Sequence, residues 1–155
     1  MARPPRILFV CLGNICRSPL AEAALRAEAD RAGAMIEIDS AGTGDWHIGK
    51  APDRRAIAEA ARHGIDIAGL RARQVHAGDF HAFTHVFALD DQNLANLERL
   101  RPHDARAELA LLMDAVPGRE GEAVADPYFG DEDGFAVTWA DVSMAARAIV
   151  AKLAG

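Results

Sequence analysis

The sequence predicts a doubly wound α/β fold built on a wholly or mainly parallel sheet, and three observations carry that prediction. Short apolar runs such as Arg6-Ile7-Leu8-Phe9-Val10-Cys11 are unbroken rather than alternating, as in strands buried on both faces. Segments with helical patterning separate these runs, so strand and helix alternate along the chain. The length, 155 residues with 50% hydrophobic and 26% charged, suits one domain spanning residues 1–155.

The first strand is read at residues 6–11. A helix opens at Ser18-Pro19, with the serine hydroxyl as cap and the proline in the first turn, where its missing N–H costs nothing. Ala21, Ala24 and Leu25 give this helix an apolar face, Glu22, Arg26 and Asp30 a charged one, and Gly33 ends it. A second strand is expected at residues 35–40, then a glycine-rich loop through Gly49. Pro52-Asp53 starts a second helix that runs to Arg62 and stops at His63-Gly64. Residues 65–80 read as loop-rich. The third strand falls at residues 85–89, a helix at 91–100 with Asp90-Asp91 as caps, and the fourth strand at 108–112. An acidic loop over 117–134 precedes a last amphipathic helix ending near Leu153. The pattern leaves strand order open. Ligands in such folds bind beyond the carboxyl ends of the strands, and the loops 11–18, 40–49 and 117–134 all follow strands.

Charge and cysteine content narrow the function. Seventeen Lys+Arg against 23 Asp+Glu give a net charge of −6, with no basic block, which argues against broad nucleic-acid or anionic-membrane binding. No apolar run approaches the roughly 20 residues of a membrane span. The basic opening Met1–Arg6 is followed by an apolar stretch too short, and without a small-residue cleavage site, to read as a signal or transit peptide. Two cysteines do not staple a secreted scaffold, so a reducing, cytoplasmic location is expected.

Chemistry concentrates between Cys11 and Arg17. Backbone N–H groups of a tight loop and a helix N-terminus form an anion site, to which Arg17 adds a planar fork of donors. Cys11 at its floor would feel the same positive field, which favours the thiolate, and the Ser18 hydroxyl could donate to the sulfur. Gly13 and Asn14 tolerate unusual backbone angles within the loop. A lone cysteine is more often a small buried hydrophobe; the combination of strand, Gly-Asn loop, arginine, Ser-Pro and helix outweighs that reading.

Residues Val10-Cys11-Leu12-Gly13-Asn14-Ile15-Cys16-Arg17-Ser18-Pro19-Leu20-Ala21-Glu22 resemble the phosphate-binding loop of the low-molecular-weight protein tyrosine phosphatases. Ser40-Ala41-Gly42-Thr43 and Asp126-Pro127-Tyr128-Phe129-Gly130 are similar to that family's two other signatures, in the same order. The resemblance implies a three-layer α/β/α fold with a four-stranded parallel sheet, no cofactor and no metal, and hydrolysis of phosphotyrosine. It implies Cys11 as nucleophile, Arg17 as phosphate clamp and Asp126 as general acid and base. By the same resemblance, Asn14, Ser18 and Ser40 are expected to brace the loop. Leu12, Gly13, Asn14, Ile15, Cys16 and Ser18 belong to the substrate-binding loop, and Leu12, Trp46, Tyr128 and Phe129 form walls for an aromatic ring. Cys16 is implied as a disulfide partner that protects an oxidised Cys11. The resemblance further implies a phosphotyrosine protein as partner, with a tyrosine kinase as one candidate, and a monomeric or weakly self-associating chain.

The reaction asks for these residue types on its own terms. A thiolate both attacks and leaves, and phosphoryl transfer then needs mainly positioning and charge neutralisation. Asp126 must hold a proton to act as the acid, which the crowd of carboxylates around it would favour; Asp-Pro alone would read as a turn.

Rival readings fit less well. An arsenate reductase cascade needs further cysteines, and none follows residue 16. Protein arginine phosphatases characteristically have Thr where this chain has the bulkier, apolar Ile15. Zinc held by Cys11, Cys16, His81 and His85 would place Arg17 beside the cation. A non-catalytic phosphate-binding module would keep its affinity without Cys11. No dinucleotide glycine fingerprint and no Gly-Lys-Ser/Thr loop occurs. Trp139 reads as core, and His47 as either pocket lining or solvated. Many family members carry a His where Leu70 stands, which puts one bracing hydrogen bond in question.

Overall fold

The computed structural model describes residues 3–128, 130 and 132–154. Four parallel strands, β1 (Arg6–Cys11), β2 (Glu37–Gly42), β3 (His85–Ala88) and β4 (Glu108–Leu111), form one sheet in the order β2-β1-β3-β4. Side chains alternate across β1. Ile7, Phe9 and Cys11 face a core completed by the helices α1 (Arg17–Ala32), α2 (Arg54–Arg62) and α5 (Glu132–Ala154). Leu8 and Val10 face the opposite core, which holds Phe80 of α3 (Asp79–Ala82) and Leu97 of α4 (Asp91–Leu100). The expected three-layer α/β/α architecture is therefore present.

The order of strands fixes where a ligand can sit. From β1 the chain crosses to β2 on one side, then returns past β1 to β3 on the other. That reversal opens a crevice at the carboxyl ends of β1 and β3. Cys11 ends β1, and Asp90 stands two residues beyond β3.

Several boundaries differ from the sequence reading, each for a tertiary reason. β2 begins at Glu37 rather than Met35, because pairing starts at Arg6↔Glu37 and Met35 is left in solvent. The first helix starts at Arg17, and Ser18 does not cap it; the Ser18 hydroxyl is engaged with Cys11 and Asn14. Glu22, expected on the charged face, is buried. Residues 65–80, expected to be loop, contain the start of α3 and an isolated bridge from Gln74 to Gly42. Leu112 leaves the sheet for a 3-10 turn, Leu112–Ala115. Other signals hold as read. Gly33 ends α1 in the left-handed conformation, Asp53 caps α2, and Asp90 caps α4 by accepting from the Asn93 N–H.

Asp133–Leu153 is long and apolar enough, by length and composition, to cross a membrane, although polar residues interrupt its apolar runs. In the fold it is a core helix, with Phe135, Val142, Ala145, Ala146 and Ile149 buried against α1 and the sheet.

Candidate active site

The loop after β1 is shaped by where its carbonyls go. Cys11 O accepts from Thr43 N at 2.9 Å, Leu12 O from Gly44 N at 2.9 Å, and Ile15 O from Asp53 N at 2.8 Å. A trans peptide points its N–H opposite its C=O, so the amides of Leu12, Gly13 and Cys16 are turned toward the concave side. The N-terminus of α1 opens into the same space. Together these groups make a basin of positive potential with Cys11 at its floor.

Asn14 holds the loop from beneath. Its φ of 58° is the one positive value outside glycine among the described residues, a left-handed conformation that asparagine tolerates better than most residues. Its Oδ1 accepts from the Arg73 N–H at 3.0 Å, which orients the amide so that Nδ2 donates to Ser18 Oγ at 2.8 Å and Ser40 Oγ at 3.0 Å. Ser18 Oγ lies 3.0 Å from Cys11 Sγ, and with an acceptor position taken by Asn14 its proton is free for the sulfur. The Asn14 N–H points at the same sulfur at 3.3 Å. Both donors stabilise negative charge on Sγ. The Ser40 hydroxyl donates to Glu22 Oε1 at 2.8 Å, and Arg26 holds the other Glu22 oxygen at 2.7 Å. Leu70 packs into the core on the α1 side, and the Ser40–Glu22–Arg26 chain completes the brace on its own.

Arg17 is 3% exposed and its guanidinium is fixed on two sides. Nη1 donates to Asp90 Oδ2 at 2.7 Å and to the Val124 carbonyl at 3.0 Å, while Nη2 lies 3.7 Å from Asp126 Oδ2. Sequence reading gave Asp90 only its capping role. One carboxylate does both jobs, with Oδ1 on the helix and Oδ2 on the arginine. Only the strand order could have exposed the second.

One pocket is lined by Cys11, Leu12, Gly13, Ile15, Cys16, Arg17, Trp46, His47, Asp126 and Tyr128. Nine of the residues singled out in the sequence thus meet at one mouth, and His47 joins them as pocket lining. Asn14 and Ser18, grouped with the substrate-binding loop, lie beneath it with Ser40 instead. Phe129 lies outside the described residues. Of the acids crowded into the sequence around Asp126, Glu122 pairs with Arg119 and Glu120 accepts from the Gly118 N–H, while Asp131 lies outside the described residues. Trp139 is half-buried and stacks on His63 at 4.5 Å, away from the pocket.

Cys11 and Cys16 are both free thiols. Burial first, and then the Asp53 carboxylate, push the Cys16 thiol far above its ordinary value, so Cys16 stays protonated. Asp53 is itself held below the usual carboxylate range, chiefly by hydrogen bonding from Arg55. No group of three or more metal-ligating side chains occurs among the described residues, and His81 and His85 pair with Asp104 and Glu108.

A parallel sheet whose first strand delivers a thiol, an arginine and a helix N-terminus to one pocket is the arrangement of an oxyanion-handling α/β protein. The model of the low molecular weight phosphotyrosine protein phosphatases matches residues 6–155, and the chain belongs to that family. The low molecular weight phosphotyrosine protein phosphatase of Schizosaccharomyces pombe is 43% identical over 138 residues, covering 87% of this chain and 88% of the relative. The low molecular weight protein-tyrosine-phosphatase of Streptomyces coelicolor is 44% identical over 136 residues, covering 84% and 82%. Among solved structures, Primo-1 superposes with a TM-score of 0.92 at 33% identity, covering 97% of this chain and 99% of its own. The Drosophila arginine phosphatase DARP superposes at 0.88 with 30% identity, covering 94% and 96%. The protein is an enzyme of the protein-tyrosine-phosphatase class, acting on phosphoproteins.

Proposed function

We propose that this single domain, residues 1–155, hydrolyses phosphotyrosine in proteins through a cysteinyl-phosphate intermediate. The observation that carries the reading is the convergence of the Cys11 sulfur, the Arg17 guanidinium and the Asp126 carboxyl on one pocket. In the first step the Cys11 thiolate attacks phosphorus, the P–O bond to the ring breaks, and Asp126 passes its proton to the departing phenolate oxygen. In the second, the Asp126 carboxylate takes a proton from water as its oxygen attacks phosphorus, the P–S bond breaks, and phosphate leaves with the thiolate restored. Arg17 and the loop amides neutralise the equatorial oxygens in both steps. Leu12, Trp46 and Tyr128 offer the apolar walls an aryl ring requires, and Ile15 gives a guanidinium no polar partner.

The physiological substrate is a phosphotyrosine protein, with a tyrosine kinase as one candidate. The chain acts in the cytoplasm, as a monomer or weak self-associate, consistent with its two free thiols. Cys16, its thiol held protonated, is the reserve partner for an oxidised Cys11 rather than a second nucleophile.

Hydrolysis of an aryl phosphate with and without EDTA, for the parent, Cys11→Ser and Asp126→Ala, tests the reading. EDTA-insensitive turnover lost in Cys11→Ser and slowed roughly 10²–10⁴-fold in Asp126→Ala is expected. A folded, reduced parent that is inactive on aryl phosphate but cleaves phosphoarginine would move the substrate to the guanidinium class.

A further inference from the structure

Arg55, in the first turn of α2, reaches out of its own helix to a different loop. Its Nη2 donates to the Tyr128 carbonyl at 2.8 Å and its Nη1 to the Gly130 carbonyl at 3.0 Å. The guanidinium lies 4.8 Å from the Phe135 ring centroid and 5.7 Å from that of Tyr128, so the same cation also packs on the aromatic faces at this end of the loop. On its inner side, Nε and Nη2 donate to the two Asp53 oxygens at 3.0 and 3.1 Å. The Asp53 N–H is in turn the donor that holds Ile15 O at 2.8 Å. A continuous path thus runs from the phosphate loop at Ile15, through the Asp53 backbone and carboxylate and the Arg55 fork, to the two carbonyls that follow Asp126. Asp126 is tied to the same turn, its Oδ1 accepting from the Tyr128 N–H at 3.0 Å, and the Gly130 N–H closes the turn on Pro127 O at 3.0 Å.

The geometry points to Arg55 as a positioning residue that sets the distance between the acid on Asp126 and the phosphate held by the loop of residues 11–17. This rests on the reading of Asp126 as the proton donor. Arg55 is not among the residues lining the pocket, so it acts through the groups it holds, the turn at Tyr128 and Gly130 on one side and Asp53 on the other. A guanidinium is suited to the task because one planar fork can span two carbonyls while its inner edge stays on a carboxylate; an ammonium is a single point that cannot. Hydrogen bonding to Asp53 pushes the Arg55 value further up, so the clamp stays charged at every working pH.

A misplaced acid has a kinetic signature. Proton donation matters most when the leaving phenolate is basic and hardly at all when it is a good leaving group, so the loss in kcat/KM must grow with leaving-group pKa. The test compares the parent, Asp126→Ala, Arg55→Met and Arg55→Lys on a series of aryl phosphates from phenyl to dinitrophenyl, with inhibition by inorganic phosphate measured for each. Arg55→Met is expected to lose on the order of tenfold or more on phenyl phosphate, about twofold on the dinitrophenyl ester, and to keep the phosphate inhibition constant within about twofold. Arg55→Lys, which keeps the charge and the helix, is expected to show the same tilt at smaller amplitude, and it answers the question if Arg55→Met does not fold. A uniform loss across the series with weakened phosphate inhibition would mean that Arg55 supports the phosphate loop, and no loss at all would mean that it supports nothing; either overturns the proposal. If Asp126→Ala itself shows no leaving-group tilt, the acid assignment fails and Arg55's role falls with it. A tilt in Asp126→Ala that both Arg55 variants lack overturns the positioning role alone.

Discussion

Replacing Asp90 by Asn removes one charge and changes no volume, yet it is expected to damage both stability and turnover. The carboxylate accepts from Asn93 N at 2.7 Å through Oδ1 and from Arg17 Nη1 at 2.7 Å through Oδ2. An amide has one oxygen. Whichever way it turns, its NH₂ faces a donor, either the helix N–H or the guanidinium. Removing one partner of a buried ion pair costs about 3–5 kcal/mol. Asp90 is 27% exposed and Arg17 retains the Val124 carbonyl, so the expected loss is nearer 2–3 kcal/mol on that scale. Arg17 would then swing toward Asp126, 3.7 Å away, drawing together the clamp and the acid that must face opposite ends of the substrate. A tenfold or greater rise in the inhibition constant for inorganic phosphate, and a fall in kcat/KM on the order of 10²-fold (about 2.7 kcal/mol), are expected. Asp90→Ser separates the two roles, since serine caps a helix about as well as aspartate but does not reach the arginine. It should keep α4 and lose the clamp. Urea unfolding with steady-state kinetics on the three proteins is the assay. Asp90→Asn with phosphate inhibition and turnover within twofold of the parent would refute the reasoning.

Other perturbations separate positions that look alike in sequence. A Cβ on Gly42 would lie 2.8 Å from the Leu12 carbonyl oxygen and 3.2 Å from the Asn14 backbone nitrogen. Gly42→Ala must push the end of β2 off the loop, and should cost about 1–3 kcal/mol in urea unfolding together with most of the turnover. Gly64→Ala meets nothing within 4 Å but must hold a φ of 81°; about 1 kcal/mol of stability should go and kcat should stay, as the same two measurements will report. Asn14→Ala loses its tolerance of the left-handed conformation and leaves the Arg73 N–H without its acceptor, so about 2–4 kcal/mol and a large fall in kcat are expected from chemical unfolding and turnover. His85 is held below its ordinary value, mainly by burial and in part by Lys152, against the opposing pull of Glu108. The unfolded chain therefore binds the extra proton first, and stability should fall as pH drops below about 6.5, then level off beneath the folded value. A thermal-unfolding series against pH should lose that slope in His85→Gln.

The phosphate loop was legible because its signals are local. An apolar run, a cysteine and arginine with five residues between them, and a Ser-Pro helix start lie within fourteen residues of chain, from Arg6 to Pro19. What the sequence misplaced depends on contacts between distant segments. Glu22 has the spacing of a solvent face, but its partner Ser40 arrives from β2, eighteen residues on. Ser18 has the composition of a cap, yet its hydroxyl belongs to a network that Asn14 and Ser40 create. β2 slides by two residues because its start is set by Glu37 N reaching Pro5 O, not by where Met35-Ile36 begins to look apolar. Asp90 was visible as a cap and invisible as a clamp, since its approach to Arg17 requires β3 to lie beside β1, and the alternation of helices and strands gives no strand order.

The same contacts explain how a short loop can hold an unfavourable backbone at Asn14. A left-handed non-glycine residue persists only where its surroundings over-determine it. Here the loop is fixed from outside by segments that do not neighbour it in sequence: the end of β2 through Thr43 and Gly44, the start of α2 through Asp53, and the Arg73 backbone. Arg73 is itself held by Asp39 and Asp79, so its N–H is a fixed point rather than a mobile one. Each tie takes a carbonyl or a side chain on the loop's outer side and leaves an amide on its inner side. The amides of the anion site are therefore a by-product of how the loop is fastened, and Arg17 is the pocket-facing side chain that adds to them. Substitutions at fastening points far from phosphate, Gly42 and Asp53 among them, should consequently cost activity in proportion to how far they let the loop relax. Wall residues such as Leu12 and Trp46 should change which aryl ring is accepted while leaving the affinity for inorganic phosphate intact.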